Sequence, residues 1–450
     1  MKNILAQRPP IHQIRQLPLP APERQELANG LILHELQMGT QEVLKIEWLF
    51  QAGRWFEQHK LQARATAALL KAGAGQRTAD ELADFFDFYG AKLKVSDDFD
   101  SLSIRLYCLS KHLPKLLPAI MDLLLDPQFE QEELDQFQQL SKQRLRIQLQ
   151  RNELQAYRIF TEKLFGSEHP YGYNSEAEDY DTLDRDRLLA HHRRCFLANN
   201  CQVIVSGKTD VATMDLLKTE LSRLPQGPQP QGSRLVLPAA ETGAFHYPAI
   251  KAESQQASIR IGRRALSQKS ADYAAFHFTN TLLGGYYGAR LMQNLREDKG
   301  YTYSIYSAEE LMRHAGYFYI YTDVAKEVKT AALTEIYKEI DRLQEEVVAE
   351  EEMQMLKNYS LGMFLSATDG VFNLSAVWKE LILSGLDASF YNQLVEATLA
   401  MPASEVMRIA QTYLQKEQLT EVVFYSYFLG LRSKLRRYAS GLAGLLGPAA

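Results

Sequence analysis

The stretch LPQGPQPQGSRLVLPAAETG, residues 224–243, places three prolines and two glycines between Pro225 and Gly232 with neither helical nor strand periodicity, which is the pattern of a linker. The same order of elements recurs on its two sides. Before it, a helical pattern over 79–89 meets Gly90, the alternating AKLKVSDDFDSLSIRLYC makes a hairpin turning at Asp97 and Asp98, and a helix follows over about 113–125. After it, a helical pattern over 290–296 stops at Lys299-Gly300, YTYSIYS and GYFYIYTDV make the hairpin, and VKTAALTEIYKEIDRLQ is helical. Long helices then lead to one more strand in each half, CQVIVSG at 201–207 and TEVVFYS at 420–426. This repetition predicts an α+β fold of two similar two-layer domains, each an antiparallel sheet packed against helices. The expected boundaries are 1–224 and 241–428, with a linker at 225–240 and a tail at 429–450.

Composition removes several functional classes. The 450 residues are 46% apolar and carry a formal net charge of −5, with no basic stripe before the tail. A nucleic-acid footprint would need one. Cys108, Cys195 and Cys201 are odd in number and lack CxxC spacing, so neither a disulfide framework nor a cysteine metal knuckle is expected, and a reducing compartment fits. The first 27 residues contain no apolar core of signal-peptide length, and no run approaches ~18 apolar residues. The expectation is a cytoplasmic chain without a membrane span. The tail, with Arg432, Lys434, Arg436 and Arg437 ahead of small apolar residues, reads as a C-terminal helix with a frayed end rather than a membrane contact.

One corner carries an arginine and a tyrosine seven residues apart, in NLREDKGYTYSIYS at 294–307. Gly300 can take the left-handed turn that ends the helix. Beyond it the period-two pattern puts Tyr301, Tyr303 and Ile305 on one strand face and Thr302, Ser304 and Tyr306 on the other. Arg296 and Tyr303 can therefore converge at a helix-to-strand corner. Local pattern alone favours packing: Arg296 on the last helix carbonyls, and Tyr303 as one of 23 tyrosines on a half-buried strand.

The longer stretch NTLLGGYYGARLMQNLREDKGYTYSIYS, residues 280–307, resembles the C-terminal signature of the pitrilysin/insulinase family of zinc peptidases. The resemblance rests on Leu283-Gly284-Gly285, Arg290-Leu291, Leu295-Arg296-Glu297, Gly300 and Tyr303, and HPYGY at 169–173 extends it over most of 25–428. It implies two halves closing like a clam shell around an extended peptide. It also gives Arg296 and Tyr303 a role as substrate-binding residues that stabilise the tetrahedral oxyanion, where preorganised donors act most strongly.

The family's catalytic helix carries His-x-x-Glu-His, and a more distant glutamate completes its zinc site. By the resemblance those first three positions fall on Arg64, Ala67 and Ala68, within 61–91, and the distal one at about Gln143 or Arg144. Alanine has no donor atom and a guanidinium repels a dication, so no metal is expected in this chain. His191 and His192 are adjacent and diverge on a helix. Asp97, Asp98 and Asp100 read as a solvated hairpin tip, and EEVVAEEEM at 345–353 as an exposed helix face. The resemblance thus implies a non-catalytic subunit of a heterodimeric metallopeptidase, with the zinc in a homologous partner and an unfolded or extended peptide as substrate. The alternatives are a structural assembly subunit, or a stand-alone peptide binder that uses AKLKVSDDF as a sheet edge.

Overall fold

The computed structural model describes residues 17–249 and 255–426; the tail read above lies outside them. The first sheet contains β1 (Glu23–Glu26), β2 (Ile32–Gln37), β3 (Val43–Phe50), β4 (Lys92–Asp97), β5 (Leu102–Leu109) and β6 (Cys201–Gly207), in the order β1-β2-β6-β3-β5-β4. The second contains β7 (Gly243–Ala249), β8 (Gln256–Arg264), β9 (Ile305–Leu311), β10 (Gly316–Ala325) and β11 (Thr420–Ser426), in the order β7-β11-β8-β10-β9. Position by position the second order repeats β2-β6-β3-β5-β4. The expected antiparallel pairing holds except for one parallel pair in each sheet, β2 with β6 and β7 with β11. Each parallel partner returns to the sheet only after a long helical excursion, which is the connection that parallel pairing requires.

Alternation along the strands sorts each sheet into two faces. Leu44, Ile46, Trp48 and Phe50 of β3 point into the main core of the first half. Ile259 and Ile261 of β8, with Phe318 and Ile320 of β10, do so in the second.

The opposite faces are covered by an exchange of helices. Helix Val371–Ser384, from the second half, lays Leu374, Trp378 and Leu381 against Leu36, Leu49 and Ile204 of the first sheet. Helix Asn152–Phe165, from the first half, packs Ala156, Phe160 and Leu164 against Val422 and Phe424 of the second. Each half therefore completes the other's hydrophobic layering. The linker follows an extended path, tied by the Ser233 amide to the Trp55 carbonyl (2.8 Å) and by the Glu241 amide to the Lys163 carbonyl (2.9 Å).

The halves also meet at the β9–β10 turn, where His314 stacks on Trp55 with ring centroids 4.2 Å apart. There the Asp100 carboxylate accepts from the Tyr171 hydroxyl (2.5 Å) and the Arg313 amide (2.8 Å). Asp100 is thus a half-buried joint and not a solvated tip, and burial raises its pKa. Glu352, within the acidic run read as an exposed face, makes a two-pronged pair with Arg290 at 2.9 and 2.7 Å.

Candidate functional site

The segment 61–91 folds as two helices, Gln62–Leu69 and Ala79–Phe88, separated by the glycine-containing loop. The second begins with a capping box between Thr78 and Glu81. The first starts from Leu61, whose φ of 67° is unusual for a branched side chain. The Leu61 amide donates to the Tyr173 hydroxyl at 3.4 Å, so the HPYGY segment fixes the point from which this helix departs.

Arg64, Ala67 and Ala68 line one wall of a cavity of about 560 Å³. Arg144, on helix Gln131–Gln148, lines it too. The structure thus brings together Arg64, Ala67 and Ala68 with Arg144, one of the two residues that the resemblance alone matches to the distal ligand. Ala67 and Ala68 offer no donor, and the two guanidinium groups oppose a cation. Among the described residues no group of three or more His, Cys, Asp or Glu side chains is placed to hold a metal. The residues present do not fit a zinc ion. His191 and His192 diverge as expected: His191 Nε2 bonds the Ala52 carbonyl at 2.9 Å, while His192 packs on Phe196 with ring centroids 4.3 Å apart. Burial pushes both imidazoles down to about 4, so they are neutral core groups.

Sequence reasoning missed Glu57. It lies in the same cavity, where Oε2 accepts from the Tyr173 hydroxyl (2.5 Å) and Oε1 from the Ala63 amide (2.8 Å). Burial raises its pKa to about 7, against the lowering effect of the Tyr173 bond. Arg54 completes the cluster, lying 3.9 Å from the Tyr173 ring centroid and donating to the Pro170 and Tyr173 carbonyls at 3.1 and 3.2 Å. The tyrosine of HPYGY was the available signal, since a buried phenol needs a polar partner.

The second corner differs from expectation. Arg296 belongs to the π-type helix Met292–Asp298, and the chain then turns through Gly300 at φ +64°. Tyr303 does not lie on a strand, because β9 begins at Ile305, opposite Thr322. The cause is Thr302: its hydroxyl accepts from the Ser304 amide (3.1 Å) and donates toward the Ser304 and Asp323 carbonyls (3.0 and 2.8 Å). That local turn replaces the ladder and lifts Tyr303 out of it. Tyr303 is 93% exposed. Arg296 is half-buried beside Glu297 (3.6 Å), with the Tyr287 ring centroid 5.0 Å from its guanidinium carbon. Among the described residues Arg296 and Tyr303 share no hydrogen bond.

Residues 182–360 match the family model described as the peptidase M16 inactive domain. Over that segment the chain is similar to the M16 peptidases. This bears out the resemblance to the pitrilysin/insulinase peptidases. An uncharacterized zinc protease of Mycobacterium tuberculosis is 24% identical over 317 residues, covering 67% of this chain and 70% of that protein. A Helicobacter pylori protein described as a non-peptidase homolog is 22% identical over 373 residues, covering 80% and 83%. The crystal structure of a peptidase M16 inactive domain from Pseudomonas fluorescens superposes with a TM-score of 0.81 at 19% identity, over 91% of this chain and 98% of that one. That last likeness establishes the M16 fold. Among the described residues no helix of this chain is long and apolar enough to cross a membrane. Its three cysteines are free and buried.

Proposed function

We propose that this chain is the non-catalytic subunit of a heterodimeric M16 peptidase, presenting Arg296 and Tyr303 to a peptide held at the zinc site of a homologous partner. The observation that carries this reading is the contrast between the two corners. The helix at the metal position faces its cavity with Arg64, Ala67 and Ala68, whereas Tyr303 is 93% exposed and its hydroxyl has no hydrogen-bond partner among the described residues. A phenol kept free in this way suits a donor to a developing oxyanion, and an arginine nearby suits a peptide carbonyl.

Peptide would enter as an added strand. β4 forms one edge of the first sheet, paired on one side only with β5, and Val95 and Asp97 of β4 line the cavity. This edge also supports a second reading, in which the chain clamps extended peptides without a partner. The test is reconstitution with the zinc-bearing homologue encoded by the same host. Cleavage of an unstructured peptide is expected from the complex and not from this chain alone. If the partner cleaves equally well without it, the subunit reading fails; peptide binding by the isolated chain would then favour the clamp.

A further inference from the structure

We propose that the cavity at the former metal position is a carboxylate-binding site, with Arg64 and Arg144 as its paired cations. Four guanidinium groups line this cavity. Two are already engaged: Arg54 with the Pro170 and Tyr173 carbonyls, and Arg158 with the Ser175 carbonyl (2.8 Å) and the Glu176 carboxylate. Arg64 and Arg144 are exposed to the cavity and, among the described residues, have neither a hydrogen-bond partner nor an ion pair. They stand on separate helices, at the place the family gives to a first metal ligand and close to that of the distal one. The exchange therefore goes further than losing a metal: side chains that would attract a cation are replaced by two cations.

The acidic groups of the cavity leave room for this reversal. Glu57 is tied to Tyr173 and to the Ala63 amide, and with its pKa raised to about 7 it carries only part of a charge at neutral pH. Asp98 accepts from the Phe99 amide at 2.7 Å, at the hairpin end of the cavity, with Asp97 next to it. The two free guanidinium groups stand on the helices. Each offers the planar fork that recognises a carboxylate through two parallel bonds.

Two sources can supply that carboxylate. One, which rests on the peptide-handling reading, is an acidic side chain of a peptide added along β4, since alternate residues of such a strand face the same side and Val95 and Asp97 already border the cavity. The other is a free dicarboxylate. The test uses the full chain and the double variant Arg64→Gln/Arg144→Gln, which should fold because both side chains are exposed. Probes are a fluorescent Gly/Ser-based peptide bearing two glutamates, its glutamine twin, and glutarate. The glutamate peptide should bind roughly tenfold more tightly than its twin, an advantage that disappears in the double variant. It should also shrink with added salt. Glutarate binding alone, abolished in the variant, would keep the site and remove the peptide source. Equal binding of the two peptides with no glutarate binding would overturn the carboxylate site while leaving peptide handling intact. The proposal is also overturned if no probe binds, or if the preference survives in the double variant.

Discussion

Lys379, on the helix that the second half contributes, lies 3.1 Å from the Glu47 carboxylate in the middle of the first sheet. Glu47 is fully buried and also meets Lys45 (3.1 Å) and Arg105 (2.6 Å), while Lys45 donates to Ser375 Oγ at 2.9 Å. Burial works to raise the Glu47 pKa, but the Arg105 bond and the neighbouring lysine charges outweigh it, so the net shift is downward. The cluster joins the two halves through polar groups beside the apolar packing of Trp378 and Leu381.

Removing the one carboxylate that Lys45, Arg105 and Lys379 share should cost more than removing any one of the cations. Glu47→Gln is expected to cost about 3–5 kcal/mol, measured by denaturant unfolding, because Lys45 then has no counter-charge. Lys379→Met should cost less, since Lys45 and Arg105 still compensate Glu47. A double-mutant cycle of Glu47 with Lys379 should give a coupling of roughly 0.5–3 kcal/mol. Zero coupling would mean that the exchanged helix is held by its apolar face alone.

Glu57 predicts a pH dependence of opposite sense to a paired carboxylate. Its folded pKa, raised by burial to about 7, lies above the value of about 4.3 for an unfolded chain. Between those values the native chain holds a proton that the unfolded chain has released, so the stability this group provides is present below about pH 4 and lost as pH rises through 7. Glu57→Gln removes the titration. Relative to that variant, wild type should therefore lose about 3 kcal/mol between about pH 4.5 and 8. A pH-independent difference in thermal midpoint would place the carboxyl in contact with water.

How far the sequence reaches is visible at matched positions. Gly90 and Gly300, read as corresponding corners, both have positive φ, at 60° and 64°. The helix over 79–89 and the hairpin after it appear at Ala79–Phe88, Lys92–Asp97 and Leu102–Leu109, because caps and period-two alternation are local signals. Tyr303 was misplaced because strand periodicity continues through YTYSIYS while one threonine hydroxyl supplies a competing local turn. The helix exchange was illegible for a different reason: an amphipathic helix reveals that it has a buried face but not which sheet covers it. Glu57 was missed since its environment is assembled from Tyr173 and Ala63, remote in sequence from one another.

The cavity's chemistry makes a direct statement about metal content. Elemental analysis of the purified chain should find zinc well below one per molecule, because Arg64, Ala67, Ala68 and Arg144 supply no ligand. The triple variant Arg64→His/Ala67→Glu/Ala68→His should still not cleave peptide as a single chain, since the distal carboxylate is missing too. Stoichiometric zinc in the wild type would show that the degenerate positions have been wrongly matched to the family's ligands.

Arg296 and Tyr303 give the sharpest separation of stability from activity. Tyr303 projects into solvent, and the contacts of Arg296 are a neighbouring glutamate and a partly exposed tyrosine ring. Exposed pairs of this kind contribute little, so Arg296→Ala and Tyr303→Phe should each change unfolding free energy by less than ~1 kcal/mol. Binding to the zinc-bearing partner should also survive. Turnover of an unstructured peptide by the reconstituted complex should instead fall by roughly 10²–10³-fold for loss of an oxyanion donor, with the larger effect on kcat. Tyr303→Phe is the stricter of the two, because it deletes one hydroxyl that has no hydrogen-bond partner among the described residues. A normal rate in both variants would mean that this corner never meets substrate, and would shift the assignment to a subunit whose role is assembly.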